Sequence, residues 1–172
     1  YSVNGGGTYP NLIIASTSAN AAYPWTIPDA IGTQLRVRVT DAANGNVSDT
    51  SDTDFIVKGA LAVTAPNGNE ILSVGSSTNI TWTRTGSIAN VKLEYSTDGG
   101  STYPNVITNV TDASAGTYPW TVPDALGLLT KVRVTDASDS TVLDASNNNF
   151  TIRGALTISA PNGSEVWKVG QE

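Results

Sequence analysis

The chain has 172 residues, and 15 acidic against 9 basic side chains leave a net charge of −6. That balance argues against a nucleic-acid partner, because phosphate binding calls for clustered lysine and arginine. With no cysteine and no histidine, it has no disulfide framework or zinc–thiolate site, and it lacks the commonest general base and the commonest transition-metal ligand.

No apolar run approaches the length of a membrane span. Glycine, serine, threonine and asparagine are abundant, and their distribution between short alternating runs points to strands and turns. The chain also repeats itself. Residues 1–77 match 95–172 at a spacing of 94 to 95, with about half the positions identical, and a repeat of that kind is one folding unit used several times. Residues 60–154 make one whole unit, 1–59 the C-terminal part of another, and 155–172 the N-terminal part of a third. No segment copies 78–94. The expectation is a window on a longer tandem array, or an assembly in which a neighbouring copy supplies the missing strands.

In chain order, Asn4-Gly5 is the first turn pair, followed by the alternating runs YPWTIP (23–28) and RVRVT (36–40). Phe55 leads through FIVKGAL into the whole unit without a flexible linker. There, Leu61 and Val63 alternate in a first strand, APNGNE (65–70) turns the chain, and ILSV (71–74) is a second short piece. Ile80 and Trp82 share one face of the next strand, and Val91, Leu93 and Tyr95 one face of the strand after it.

Asp98-Gly99 suits a tight turn with positive φ, and Tyr103, Val106 and Ile107 mark a further strand. The run 117–123 carries Pro119 and Pro123, which places it at a sheet edge because proline cannot donate to a ladder. Val132 and Val134 alternate next, a polar loop follows, and Phe150 and Ile152 close the unit. Seven or eight short strands in about 95 residues predict an all-β chain of tandem immunoglobulin-like or fibronectin type III-like β-sandwiches.

The succession A-P-N-G-x-E, V-G, I-T-W, Y-S-T-D-G-G, Y-P-W-T-V-P, V-R-V-T-D-A, F-T-I resembles the Ser-Thr-rich, glycosylphosphatidylinositol-anchored membrane family across 60–154 and both partial units. The resemblance implies a β-sandwich used as a spacer, adhesive or wall-associated module, with no catalytic residue to carry over. The run STDGGSTY (96–103) also resembles the Asp-box of sialidases, a hairpin-turn motif remote from catalysis. Its first copy has Asn4 in place of the aspartate.

Two constellations are candidate sites. Asp41, Asp49, Asp52 and Asp54, and in the second copy Asp136, Asp139 and Asp144, gather before the last strand of each unit and offer oxygens for calcium. The competing reading is solvated turns whose side chains bond local backbone. Trp25 and Trp120, with Tyr23 and Tyr118, offer a sugar-stacking platform, although the alternation Tyr118, Trp120, Val122 equally places these rings in a core. The functional expectation is a non-catalytic, semi-rigid spacer in an extracellular or cell-surface protein, with neighbouring repeats or copies as partners. The alternative is a carbohydrate-binding or adhesive module, with cell-wall polysaccharide as its partner, or one accessory to an enzyme domain outside this window.

Overall fold

The computed structural model describes residues 1–170. The chain is all-β. In the first part, β1 (Gly32–Leu35) pairs with β4 (Phe55–Val57), and β2 (Arg38–Thr40) pairs with β3 (Ser48–Thr50). The stretch from residue 60 to 153 carries β5 (Ala60–Ala65), β6 (Ile71–Ser73), β7 (Ser77–Thr85), β8 (Asn90–Ser96), β9 (Asn105–Asp112), β10 (Thr117–Thr121), β11 (Gly127–Asp136), β12 (Leu143–Ala145) and β13 (Phe150–Arg153).

These nine strands form two sheets. One has the order β10-β7-β5, and the other β6-β13-β11-β8-β9 with β12 also on β11. All pairs are antiparallel except β6 with β13, which run parallel. The alternating residues meet between the sheets. Leu61, Val63, Ile80, Trp82 and Trp120 from the first sheet bury against Val91, Leu93, Val132, Val134, Phe150 and Ile152 from the second. The proline-bearing strand β10 is an edge, as its sequence requires.

Two elements escape the sequence pattern. The polar loop contains β12, which Ser146 anchors. Its buried Oγ accepts from Val132 N at 3.0 Å and donates to Pro66 O at 2.7 Å. A 3-10 turn spans Ala113–Ala115, capped by Asp112, whose Oδ1 accepts from Ser114 N at 2.7 Å. It presents the Ala113 carbonyl to Trp82 Nε1 at 3.0 Å.

The first part reproduces the local geometry of the whole unit. Trp25 packs on Tyr1 and edge-on to Phe55 with centroid distances of 5.5 and 6.3 Å. Trp120 packs likewise on Tyr95 and Phe150 at 5.6 and 6.3 Å. Residues 22–26, which match β10, form no strand. In the 60–153 sandwich β10 pairs with β7, and residues 22–26 have no such partner strand among the described residues. Residues 155–170, which match β5 and β6, likewise form no strand.

Candidate functional site

The candidate sugar platform separates into rings with different surroundings. Trp120 is 6% exposed and lies between the sheets, with Tyr118 half-buried against the same core. The matching rings near the chain start are more open. Tyr23 is 44% exposed, Trp25 is half-buried, and both line a shallow groove of about 380 Å³ with Tyr1, Leu12 and Ile13.

The aspartates do not converge. Asp136 Oδ1 accepts from Ser138 N and Asp41 Oδ1 from Ala43 N, both at 2.8 Å, each closing its own turn. Asp144 Oδ2 accepts from Val63 N at 2.8 Å and so ties β12 to β5 across the sandwich. Asp139 Oδ1 accepts from Thr141 N and Oγ1, while Oδ2 pairs with Lys58 Nζ at 3.0 Å. The Thr141 hydroxyl, then Lys58 and the Thr141 amide, hold its carboxyl down at about 2. Asp54 pairs with Arg36 Nε at 2.6 Å, and Asp49 and Asp52 are exposed. Among the described residues no group of three or more such side chains is arranged to hold a metal ion.

The 96–103 run is a self-bonded turn. Buried Ser96 Oγ donates to Asp98 Oδ1 at 2.6 Å and accepts from Gly100 N at 2.9 Å. Asp98 further accepts from Thr102 N at 2.9 Å and Thr102 Oγ1 at 2.6 Å. The Ser96 and Thr102 hydroxyls, then the Thr102 amide, hold the Asp98 carboxyl well below the usual range. Asn4 performs the same task in the first copy, accepting from Ser2 Oγ at 2.7 Å and Thr8 N at 3.0 Å. Gly5 and Gly99, at φ 66° and 75°, supply the left-handed residue the turn needs.

On the outer face, Glu94 is 5% exposed beneath Lys92 Nζ at 2.6 Å and Arg133 Nη2 at 2.7 Å. Burial raises its pKa, but the hydrogen bonds from Lys92 and Arg133 outweigh it and leave the carboxyl below its ordinary value. The Arg133 guanidinium also lies 4.2 Å over the Tyr103 ring, matched by Arg38 over Tyr9 at 4.4 Å.

Sequence reasoning missed the contacts where the first part meets the whole unit. Asp29 Oδ1 accepts from Ser87 N at 3.0 Å and from Ser87 Oγ at 3.1 Å. Lys58 bonds Thr141 Oγ1 as well as Asp139. Gly59 presses on the 85–88 turn: a Cβ there would stand 2.7 Å from Ile88 Cγ1 and 2.8 Å from Thr85 O. The only sequence signal was the uninterrupted run from strand to strand through Lys58-Gly59.

No known family's sequence profile matches the chain, and no curated protein matches it. Among solved structures it is similar to one described as "Structures of Clostridium thermocellum CbhA fibronectin(III)-like modules", at 15% identity and a TM-score of 0.35. That match covers 57% of this chain and 99% of the other. It is a distant likeness, and the all-β sandwich rests on the strand pairing itself.

Proposed function

We propose that the chain is a structural spacer: tandem β-sandwich repeats of a large extracellular or cell-surface protein, joined end to end as a semi-rigid rod. The observation that carries this reading is the junction. Only Lys58 and Gly59 separate β4 from β5, and the flanks are tied across it by Asp29–Ser87 and Lys58–Asp139. A spacer needs a defined angle between units, and a short connection braced on both sides restricts that angle far more than a flexible linker does.

The resemblance to the Ser-Thr-rich surface family supports the same reading. So does the placement of the chain's polar side chains in turns and outer-face pairs, where they hold geometry and converge on no shared ligand. The test is extension under force and small-angle scattering of chains with increasing repeat number. Length growing in proportion to copy number supports a rod, and compaction with growing copy number sinks the idea.

The second reading, a module binding cell-wall polysaccharide, draws on the groove at Tyr1, Tyr23 and Trp25, because half-open aromatics stack on sugar faces. Co-sedimentation with insoluble glucan, chitin and cellulose separates the two. Retention lost on Tyr23→Ala favours the binding module, and no retention on any of them favours the spacer.

A further inference from the structure

The chain contains four Asn-Gly pairs, Asn4-Gly5, Asn44-Gly45, Asn67-Gly68 and Asn162-Gly163. An asparagine followed by glycine is chemically labile, because the glycine amide nitrogen approaches the side-chain carbonyl carbon with no Cβ in its way. The reaction needs that nitrogen free, and the fold treats the four pairs differently.

In three of them the nitrogen is engaged. Gly5 N donates to Gln34 O at 2.9 Å, and Gly68 N and Gly163 N donate to Glu70 Oε2 and Glu165 Oε2, both at 2.7 Å. Two of the asparagine side chains are held as well. Asn4 Oδ1 accepts from Ser2 Oγ and Thr8 N while its Nδ2 donates to Thr8 Oγ1, and Asn67 Oδ1 accepts from Asn147 N.

Asn44-Gly45 lies in the loop between β2 and β3, where both residues are exposed. Among the described residues neither Gly45 N nor Asn44 Nδ2 has a hydrogen-bond partner, and a Cβ on Gly45 would meet nothing within 4 Å. Asn44 Oδ1 accepts from Asn46 N at 3.2 Å. That bond closes a ring containing Gly45 N, so it folds the side-chain amide back over the nitrogen and polarises its carbonyl.

The loop keeps this form inside a complete unit, where Asp139-Ser140 matches Asn44-Gly45. There Thr141 N donates to Asp139 Oδ1, Val142 N to Asp139 O, Asp136 N to Val142 O and Ser138 N to Asp136 Oδ1. The β2–β3 loop repeats all four, with Asn46 N on Asn44 Oδ1, Val47 N on Asn44 O, Asp41 N on Val47 O and Ala43 N on Asp41 Oδ1. In the complete unit Asn90 O of β8 takes Ala137 N, and Lys58 of the preceding part takes Asp139 and Thr141. Ser140 nevertheless stays exposed, with its N unpaired among the described residues. Strands and units packed around this loop therefore leave the nitrogen at the Gly45 position free.

We propose that Asn44 is a site of spontaneous deamidation, the first of the four to convert in the folded chain. Gly45 N loses its proton to water and bonds to Asn44 Cγ; the Cγ–Nδ2 bond breaks, and ammonia leaves a succinimide. Water then opens the ring at either carbonyl, which gives aspartate or isoaspartate and one new negative charge, with no oxidant or cofactor consumed. Aspartate keeps the turn, as Asp139 does. Isoaspartate lengthens the main chain by one methylene and opens the hydrogen bonds that close the loop. A long-lived chain gains charge and loosens first between β2 and β3, whether or not it serves as a spacer.

The test is heavy-oxygen labelling. The folded chain is warmed at mildly alkaline pH in heavy-oxygen water and digested briefly at mildly acidic pH. Its Asn-Gly peptides are then sequenced by electron-transfer fragmentation, which tells isoaspartate from aspartate. Heavy oxygen is expected at position 44, as both products together, and several-fold less at positions 4, 67 and 162. In denaturant the four sites should converge. Gly45→Ala, which has room for its methyl and a φ outside the left-handed region, should slow conversion several-fold without moving the melting curve. Three results overturn the proposal: equal labelling of the four sites in the folded chain, a ranking that persists in denaturant and so belongs to neighbouring sequence, or aspartate without isoaspartate, which means direct hydrolysis.

Discussion

Replacing Trp82 by alanine removes one of the two tryptophans at the centre of the whole unit, and the structure sets the size of the effect. The ring is 3% exposed within the core, and its Nε1 satisfies the carbonyl of Ala113 at 3.0 Å. Truncating a buried tryptophan costs about 3–5 kcal/mol in lost transfer energy and cavity, and an orphaned carbonyl adds to it. A domain of this size has a total stability of about 5–15 kcal/mol. Each kcal/mol moves its midpoint by about 4–8 °C, so melting should fall by at least about 12 °C.

The assay is thermal unfolding of residues 60–154 followed by circular dichroism. Trp82→Phe separates the two contributions: it keeps most of the packing, loses the hydrogen bond, and should cost about 1–3 kcal/mol. Leu128→Ala, at a position 72% exposed, is the control and should stay within about 0.5 kcal/mol of the parent. A Trp82→Ala chain melting within a few degrees of the parent would refute the core assignment.

Asp98→Asn should keep the turn, as Asn4 does in the first copy, yet change the acid response. The Asp98 carboxyl is held below its ordinary value, so on acidification the unfolded chain takes up the proton first. The stabilisation is present above the ordinary carboxylate pKa and lost as the pH falls through the folded one. Melting-point-against-pH curves should therefore be flatter for the variant at the acid end, and parallel curves would count against the turn network.

Glu94→Ala strips the partner from Arg133 and Lys92 and should cost about 1.5–3 kcal/mol by denaturant titration; a loss indistinguishable from zero would mean that the pair is no more than a solvated surface contact. Gly59→Ala drives a methyl into Ile88 and the Thr85 carbonyl and should loosen the junction at a cost of about 1–3 kcal/mol, read as faster amide exchange at Ser87. Unchanged exchange there would show that the junction is not packed as described. Calcium at millimolar concentration should leave the melting curve in place, and a saturable rise would reveal a site these carboxylates do not form on their own.

The sandwich was legible because its core strands alternate cleanly. Ile80 and Trp82, Val91 and Leu93, and Val132 and Val134 are all buried as their spacing requires. Strand β12 was not, because its three residues sit in a run of turn-forming side chains and owe their pairing to buried Ser146 and to Asp144 reaching Val63. Glu94 follows the outward phase of β8, yet Lys92 and Arg133 close over it, a contact between strands that periodicity does not register.

Residues 23–28 read as a strand from their alternation, but a strand needs its partner, and no strand pairs with them among the described residues as β7 pairs with β10. The aspartates show the limit of composition. Their clustering in sequence was plain, while the backbone amides and cations that engage most of them became visible only in three dimensions. The Asp29–Ser87 contact joins positions 58 residues apart, which no local pattern reports.

The most direct test of the spacer reading is the distance distribution between two units joined as in the native chain. Residues 60–154 placed twice in tandem reproduce the strand-to-strand junction, and Thr97→Cys in each copy gives one exposed spin label per unit. Pulsed electron–electron resonance should then return a single narrow distance that broadens when the junction glycine becomes alanine. A broad distribution in the unmodified pair, with both units folded, would mean loosely tethered beads and would contradict the rod.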